Sequence, residues 1–318
     1  MNSVNFVLLG DSSLGAQLGK KGTATDLVIY DRKTADTVYT WTSPVTYPDK
    51  IQPLMQAVSI GEYAILNVDK LDKFLGEQVM SLDAAGPRAG FVLHGYSVDR
   101  EKLKSLLKST EISNYEFLDN IDSLKAEMAA LKPIAGAGKA VVVIDHAFDV
   151  KGVGTVALGV VRKGAIKAYD NLVLLPSGKS AMIKSIQMHD DPVQEASSPA
   201  RVGLALKGVT ADEISRGDVL AQPEGAEPGV KASGNSISID FVKSPFFKGD
   251  LPDTHTYLIS VGAQIRSAKI KHTGVKGEKG ELLEISIEKP IAVESAQNCV
   301  LLKPDSPSTR IVGRGPIR

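Results

Sequence analysis

The sequence predicts a doubly wound α/β domain followed by two small β-barrels. In the first 132 residues, short apolar strands alternate with helical segments, which indicates a mostly parallel sheet covered on both faces. From residue 139 onward, segments rich in Val, Ile and Leu are separated by tight glycine-containing turns, as in antiparallel barrels. A stretch rich in Gly, Pro, Ala and Glu, from Pro223 to Gly234, divides these segments into two groups. We therefore predict domains at 1–135, 139–225 and 235–318.

The α/β domain is predicted from its alternating elements. Asp119 or Asn120 is expected to cap the last helix, because a side-chain oxygen there accepts a free N–H group of the first turn. The predicted strands are Val4–Leu9, Asp26–Tyr30, Thr37–Thr42, Tyr63–Val68, Gly90–Leu93 and Tyr115–Leu118. The predicted helices are Ile51–Ile60, Glu77–Ala85, Arg100–Leu107 and Ile121–Leu131. The segment from Pro133 to Gly138 is expected to be a linker.

The two barrels are predicted from short β segments and the turns between them. Gly152 and Gly154 bracket a sharp bend, and Gly164 and Gly178 mark further turns. In the first barrel, the predicted strands include Val141–Ile144, Gly154–Val161 and Asn171–Leu175. In the second barrel they are Ser236–Val242, His255–Val261, Ala263–Ile270, Leu282–Ile287 and Asn298–Leu302.

Composition excludes few classes of protein. Lys plus Arg equal Asp plus Glu at 37 each, so net charge points to neither nucleic acid nor membrane. Residues 136–186 carry seven Lys or Arg against three Asp, which fits either a solvated barrel rim or an RNA-binding surface. The single Cys299 excludes an internal disulfide, and no Cys/His cluster has metal-ligand spacing. We expect a cytoplasmic protein with no membrane partner.

The barrel at 139–225 carries an ordered series of motifs. They are Val150–Val156, Gly159, Gly164, Leu174–Pro176, Ser185–Gln187, Arg201–Gly208 and Arg216–Leu220. In this order they resemble the second domain of translational GTPases such as elongation factor Tu, and more closely that of the archaeal selenocysteine-specific elongation factor. The chain end, Leu301–Pro304 and Arg310–Gly315, is similar to the third domain of that factor. The resemblance implies that residues 1–135 form a P-loop GTPase-like domain.

The phosphate loop that the resemblance implies is degenerate. Gly10 and Gly15 keep the glycine spacing, but Ala16 stands where the family has Lys, and Gln17 where it has Ser or Thr. Ala16 cannot supply a charge to the β and γ phosphates, and Gln17 is a poor magnesium ligand. We interpret the two glycines as a tight strand-to-helix turn. Lys20 and Lys21 follow, but we expect helix geometry to aim them away from the loop.

The other nucleotide motifs of the family are also absent. The switch loop is reduced to Gly22–Thr25, and the Asp and Gly of the family's Asp-x-x-Gly are replaced by Ser43 and Thr46. Tyr47 stands where the family places its catalytic His, and His94–Ser97 replaces the guanine-reading Asn-Lys-x-Asp. We therefore predict that GTP and magnesium are not bound and that no GTP is hydrolysed.

The resemblance also implies a pocket for the aminoacylated 3′ end of tRNA on the first barrel. Its candidate residues are Asp145, His146, Phe148 and Arg201. Phe148 could offer an aromatic face to a base or an amino acid, or it could simply pack on the end of the barrel. Pro199 and Ala200 replace the glycine and acidic positions of the family.

Three functions are compatible with these observations. The first is a module that binds tRNA or another part of the translation apparatus without GTP. The second is a drifted but active GTP-dependent elongation factor that uses Lys20 or Lys21 in place of the missing Lys. The third is a regulatory protein-interaction module without RNA. No other catalytic arrangement stands out, so an enzymatic role is not favoured.

Overall fold

The computed structural model describes residues 1–223, 229–278 and 280–318. The chain forms two compact units, which are described separately. The first unit comprises Met1–Pro133, Ser244–Gly249 and Leu302–Gly313. The second unit comprises Ile134–Lys243, Asp250–Leu301 and Arg314–Arg318.

The first unit is built on a seven-stranded mixed sheet. Its strands are β1 (Asn2–Gly10), β2 (Lys20–Ala24), β3 (Leu27–Lys33), β4 (Thr37–Pro44), β5 (Tyr63–Val68), β6 (Gly90–His94) and β7 (Glu116–Leu118). Its helices are α1 (Leu14–Leu18), α2 (Gln52–Val58), α3 (Lys73–Ala85), α4 (Arg100–Leu107) and α5 (Ile121–Ala130), with a 3-10 turn at Glu111–Asn114.

Strand order in this sheet is β2-β3-β4-β1-β5-β6-β7. Strand β1 runs parallel to both β4 and β5, whereas β2, β3 and β4 pair antiparallel. Residues Val4 to Leu9 of β1 are buried on both faces, as expected for a central strand covered by helices. The rings of Phe6 and Trp41 stack in this core with centroids 6.0 Å apart.

Two elements of the first unit differ from the sequence prediction. Helix α3 begins at Lys73 rather than Glu77, because the Asp72 carboxylate caps it by accepting from the Phe74 and Leu75 N–H groups, each at 2.9 Å. Strand β2 was not predicted, and Lys21 therefore lies on an edge strand opposite Tyr30 rather than in a helix. Asn120 caps α5, as expected.

The second unit begins with a closed six-stranded barrel. Strands β11, β16, β8, β9, β15 and β12 follow one another around it, and β11 pairs with β12 to close it. The strands of this part are β8 (Val141–Val150), β9 (Gly154–Lys163), β10 (Ala165–Lys167), β11 (Asn171–Leu175), β12 (Lys179–Met188), β13 (Asp191–Val193), β14 (Glu195–Ser197), β15 (Arg201–Lys207) and β16 (Val219–Ala221). A 3-10 turn covers Ala211–Glu213.

A second closed barrel follows, in the order β18-β21-β20-β19-β23-β24. The strands are β17 (Lys231–Ala232), β18 (Ser236–Lys243), β19 (Tyr257–Val261), β20 (Gln264–Lys276), β21 (Glu281–Ile287), β22 (Ala292–Val293), β23 (Asn298–Leu302) and β24 (Ile311–Pro316). The predicted fold class, an α/β domain followed by two β-barrels, is confirmed.

Within the second unit, ion pairs join the two barrels. Lys163 Nζ lies 2.6 Å from Glu294 Oε2, and Arg266 Nη2 lies 3.3 Å from Asp218 Oδ1. The Asp218–Arg266 pair is mostly buried, and burial raises the pKa of Asp218. These two pairs bridge the barrels of this unit.

The two predicted linkers have different outcomes. In the first, the Gly136 N–H donates to Ser198 Oγ at 2.9 Å, so this segment is attached to the first barrel. In the second, residues 224–228 lie outside the described residues, while Lys231–Ala232 pairs with Ala292–Val293. The exact domain boundaries at 135, 139, 225 and 235 stay predictions.

Candidate functional site

A cleft of about 490 Å³ opens in the first unit at the carboxyl ends of β1, β4 and β5. These strands are parallel neighbours with β1 in the middle, so their carboxyl ends meet at one edge of the sheet. The connection from β1 leads to β2 on one side of the sheet, and the connection from its neighbour β5 leads to β6 on the other side. Such a switch point is where open α/β sheets bind ligands. The cleft therefore occupies the position of the degenerate phosphate loop.

Three backbone N–H groups of the turn after β1, those of Asp11, Ser13 and Gly15, donate to acceptors within the protein. The Asp11 N–H donates to the Asn67 carbonyl at 2.9 Å, and the Gly15 N–H donates to the Ser12 carbonyl at 3.0 Å. The Ser13 N–H and hydroxyl donate to the two carboxylate oxygens of Asp11 at 2.9 and 2.8 Å. A phosphate loop instead presents such N–H groups to the phosphates.

Both glycines of this turn have structural roles. Gly10 has a φ of +85°, and a Cβ there would lie 1.9 Å from the Asn67 carbonyl oxygen. A Cβ on Gly15 would lie 2.4 Å from the ring of Tyr30. Ala16 and Gln17 are exposed on the short helix α1, which has only five residues.

Lys21 lines the cleft together with Asp11 and Ser12. The expectation that neither Lys20 nor Lys21 is aimed toward this turn is therefore wrong for Lys21. The reason is that residues 20–24 form an edge strand, which places alternate side chains on opposite faces.

Tyr47 is held in place by the first turn of α3. Its hydroxyl donates to the Phe74 carbonyl at 2.8 Å, and the two rings meet edge to face with centroids 6.3 Å apart. The pKa of Tyr47 is raised, mainly by burial and secondly by the Glu77 carboxylate. The Tyr47 hydroxyl therefore remains a neutral donor. Ser43 is buried and also lines the cleft. Neither residue has the chemistry of the family's acidic and histidine positions.

The segment after β6 contributes nothing to the described wall of the cleft. The Val98 N–H donates to the Gly95 carbonyl at 3.0 Å, forming a turn, and Tyr96 is fully exposed. None of His94, Gly95, Tyr96 or Ser97 lines the cleft.

The candidate tRNA-end residues lie on strands β8 and β15 of the first barrel. Asp145 is the extra residue of a β-bulge, since Ile144 faces Gly159 and His146 faces Leu158. The bulge turns the Asp145 carboxylate toward Arg201, whose Nη1 and Nη2 donate to it at 2.5 and 3.0 Å. Arg216 Nε donates to the Asp145 carbonyl at 2.8 Å. Asp145 and Arg201 therefore form a buried, bidentate pair.

His146 and Phe148 lie together near the β8–β9 turn. Their ring centroids are 5.4 Å apart, and 37% of Phe148 is exposed. Two exposed lysines belong to the same region. Lys151 lies in the β8–β9 turn itself, and Lys184 Nζ donates to the carbonyl of Val153 in that turn at 2.7 Å. The structure thus separates the four predicted residues into a buried ion pair and an accessible ring pair.

Sequence reasoning missed several residues of the cleft. These are Asp11, Asp69, Lys70, Asp72 and Gln78. The Asp-Ser-Ser run at positions 11–13 was an available signal, because Asp commonly accepts from the backbone two residues later. Among the described residues, no cluster of three or more His, Cys, Asp or Glu could hold a metal ion. No described helix is both long and apolar enough to cross a membrane.

An α/β unit with a cleft at the ends of its parallel strands, followed by two barrels, defines the translation-factor class of fold. The sequence matches elongation factor Tu domain 2 over residues 154–221. Over 306 residues it is 35% identical to an uncharacterized protein of Methanocaldococcus jannaschii, covering 95% of each chain. The selenocysteine-specific elongation factor of that organism is 31% identical over 190 residues, covering 55% of this chain and 40% of the factor.

Elongation factor 1-alpha of Ignicoccus hospitalis is 29% identical over 156 residues, covering 49% of this chain and 34% of that factor. The chain thus spans less than half the length of these two elongation factors. The fold is also that of translation elongation factor SelB from Methanococcus maripaludis in complex with the GTP analogue GPPNHP. That comparison has a TM-score of 0.83 at 22% identity, covering 100% of this chain and 79% of SelB. The chain belongs to the elongation factor Tu/SelB-like translational GTPase family.

Proposed function

We propose that this protein binds tRNA or another part of the translation apparatus and does so without binding GTP. The observation that carries this proposal is the Asp11 carboxylate, which accepts from the backbone N–H of the turn that corresponds to the family's phosphate loop. The protein accordingly acts as a binding module rather than as an enzyme.

Charge supports the loss of nucleotide binding. The cleft is lined by Asp11, Asp69 and Asp72 but by only Lys21 and Lys70. A nucleoside triphosphate brings several negative charges, which like charges in a cleft repel. The missing Lys and hydroxyl at Ala16 and Gln17 remove the groups that would offset this repulsion.

The accessible ring pair supports the RNA-binding part of the proposal. Aromatic side chains hold unstacked nucleotides by stacking, which contributes about 1–3 kcal/mol per base. His146 and Phe148 offer such rings, and the exposed Lys151 follows Phe148 by three positions in the sequence. Asp145 and Arg201 support this surface from inside by their ion pair rather than by contacting RNA.

Two titrations test the proposal. In calorimetry with magnesium and either GTP or GDP, we expect no binding heat at protein concentrations of about 100 μM, whereas micromolar affinity would contradict it. With mixed aminoacylated tRNA we expect binding that weakens steeply as salt increases. Binding of neither tRNA nor ribosomes at low salt would favour the protein-interaction alternative.

Lys21 favours a second candidate, the drifted but active GTPase, because it brings a cation into the cleft. The variant Lys21→Met separates the two. If GTP binds to the wild type and Lys21→Met abolishes binding, the second candidate replaces the first. An exposed lysine of another strand, Lys33→Met, serves as the matched control.

A further inference from the structure

The β-bulge in β8 makes the rings of His146 and Phe148 face outward. Side chains alternate between the two faces of a strand, and Ile144 belongs to the core of the first barrel. Without the extra residue Asp145, His146 and Phe148 would share the face of Ile144 and point into that core. With the bulge, Ala147 packs against the core and the two rings lie outside it. The RNA-binding surface formed by these rings therefore depends on the bulge keeping its shape.

The turn before β16, residues 215–218, holds the bulge from one side. The Gly217 N–H donates to the Ile144 carbonyl at 2.7 Å. Arg216 Nε donates to the Asp145 carbonyl at 2.8 Å. The turn thus binds the two residues at which the register of β8 shifts against β9, so its position determines the position of the bulge.

Asp218 connects the same turn to both barrels. Its carbonyl accepts from the Ile144 N–H of the first barrel at 2.9 Å. Its Oδ1 accepts from Arg266 Nη2 of the second barrel at 3.3 Å, and its Oδ2 accepts from the Ser215 N–H at 2.8 Å. The side chains of Asp218 and Arg266 are mostly buried, so salt screens their attraction only weakly. One residue therefore contacts the bulge and the second barrel at the same time.

Gly217 brings the backbone of the turn against the second barrel. Its φ is +88°, and a Cβ there would lie 2.4 Å from both the Ala263 carbonyl carbon and the Gln264 nitrogen. Gln264 is itself fixed, because its side chain donates to the Ala292 carbonyl at 2.7 Å and accepts from the Ala292 N–H at 2.8 Å. Close-packed groups of this kind transmit a displacement rather than absorb it. A shift of the second barrel at this contact therefore moves the turn.

We propose that the turn at 215–218 couples the RNA-binding surface to the packing of the second barrel, with Gly217 and Asp218 as its positioning residues. The second barrel sets the position of the turn, the turn sets the bulge, and the bulge sets His146 and Phe148. Chains of hydrogen bonds and packed groups carry coupling of this kind. This inference rests on the proposed binding of RNA and adds a means by which its affinity is controlled from outside the binding surface.

The first test changes one carboxylate in each of the two ion pairs that bridge the barrels. Asp218→Asn and Glu294→Gln each remove one negative charge, which by itself does not weaken binding to a polyanion. Coupling predicts that Asp218→Asn nevertheless weakens tRNA binding at least about fivefold, whereas Glu294→Gln leaves it equal or tighter. Filter binding at fixed salt measures both affinities. Equal affinities in the two variants would overturn the inference.

A pair of glycine variants removes the effect of charge. Gly217→Ala and Gly178→Ala both place a side chain at positive φ, but the Cβ of the second, in the β11–β12 turn, meets no atom of the described residues within 4 Å. We expect Gly217→Ala alone to weaken tRNA binding, again at least about fivefold. Circular dichroism verifies that each variant is folded. If Gly217→Ala does not fold, Asp218→Asn decides the question.

A measurement without RNA separates this inference from the proposed function. The proton resonances of the His146 ring, assigned by their loss in His146→Gln, report the surroundings of the residue that follows the bulge. We expect Asp218→Asn and Gly217→Ala to shift these resonances and Glu294→Gln to leave them in place. If they shift but the wild type binds no tRNA, the coupling stands and the proposed function fails. If the wild type binds tRNA and neither resonances nor affinity respond, the coupling alone fails.

Discussion

Arg310 and Glu77 form a buried ion pair inside the first unit, although they are 233 positions apart in sequence. Arg310 Nη2 lies 2.5 Å from Glu77 Oε2, and its Nε lies 3.0 Å from Oε1. The Arg310 backbone N–H also donates to Glu77 at 2.9 Å, and its Nη1 donates to the Pro48 carbonyl at 2.8 Å. The guanidinium lies 5.6 Å from the ring centroid of Tyr47. Arg310 thus connects helix α3 to the segment that carries Tyr47, next to the cleft.

Arg310→Ala is expected to destabilise the first unit by about 3 kcal/mol, because Glu77 would remain as a buried charge without its cation. Trp41, the only tryptophan and fully buried in this unit, reports its unfolding by fluorescence in urea. Arg88→Ala removes the more exposed pair with Glu111 and should cost less than about 1 kcal/mol. Equal costs for the two variants would contradict this prediction.

Arg201→Ala is expected to destabilise the second unit by about 3 kcal/mol, since it leaves the buried Asp145 carboxylate unpaired. Circular dichroism during denaturation measures the effect. Lys167→Ala breaks the exposed pair with Glu195 between β10 and β14 of the same unit and serves as the control, with a cost below about 1 kcal/mol. An Arg201→Ala protein of unchanged stability that has lost tRNA binding would show that Arg201 contacts RNA directly.

Phe148→Ala is expected to weaken tRNA binding by about 1–3 kcal/mol through loss of stacking, with little change in stability because the ring is partly exposed. Filter binding at fixed salt measures the affinity. Tyr96→Ala removes an exposed aromatic ring of the other unit and is expected to have no effect on it. The RNA surface lies elsewhere if both variants bind as the wild type does.

His272 makes the stability of the second unit depend on pH. Its Nδ1 lies 2.9 Å from Glu281 Oε1 and its Nε2 lies 2.8 Å from the Leu251 carbonyl oxygen. Both partners only accept, so the doubly protonated ring satisfies both. The Leu251 carbonyl, followed by the Glu281 carboxylate, raises the pKa of His272 against the opposing effect of burial; Asp253, 3.6 Å away, acts in the same direction.

Because the folded pKa is raised, this stabilisation is fully present below the unfolded pKa of about 6.5 and is lost as pH rises through the folded value. His272→Gln should remove that part of the pH dependence, worth less than about 1 kcal/mol because the ring is partly exposed. Thermal unfolding from pH 5.5 to 8.5 measures it, with the exposed His255→Gln as control. A His272→Gln profile parallel to that of the wild type would rule the effect out.

The sequence was sufficient for the fold class because the apolar periodicity and the turn glycines are local signals. It was insufficient where contacts between residues distant in sequence determine the local structure. Strand β2 reads as polar loop, since its Lys-Lys-Gly-Thr-Ala segment forms a strand only by pairing with β3. From the sequence, Asp145 is interpreted as an accessible residue. In the structure, the bulge in β8 turns its carboxylate toward Arg201, 56 positions away.

The cleft shows the same limit. The loss of the family's Lys at Ala16 is visible in the sequence, and the Asp-Ser-Ser run signals a hydrogen bond from the Ser13 N–H to Asp11. That the Ser13 hydroxyl also donates to the second oxygen of Asp11 depends on the shape of the turn. Likewise, Gln78 lies within the predicted helix Glu77–Ala85, but which side of that helix meets the cleft depends on tertiary packing and could not be inferred.

The Asp11 carboxylate at the turn after β1 has a consequence for energetics under the proposed function. Unlike the phosphate of a bound nucleotide, a carboxylate of the chain cannot be exchanged or hydrolysed. The protein therefore has no hydrolysis reaction with which to drive release of what it binds. Capture and release are then reversible, and occupancy follows the concentrations of ligand and competitors alone. The protein would then act as a reservoir for its ligand, with no nucleotide cycle to time the release.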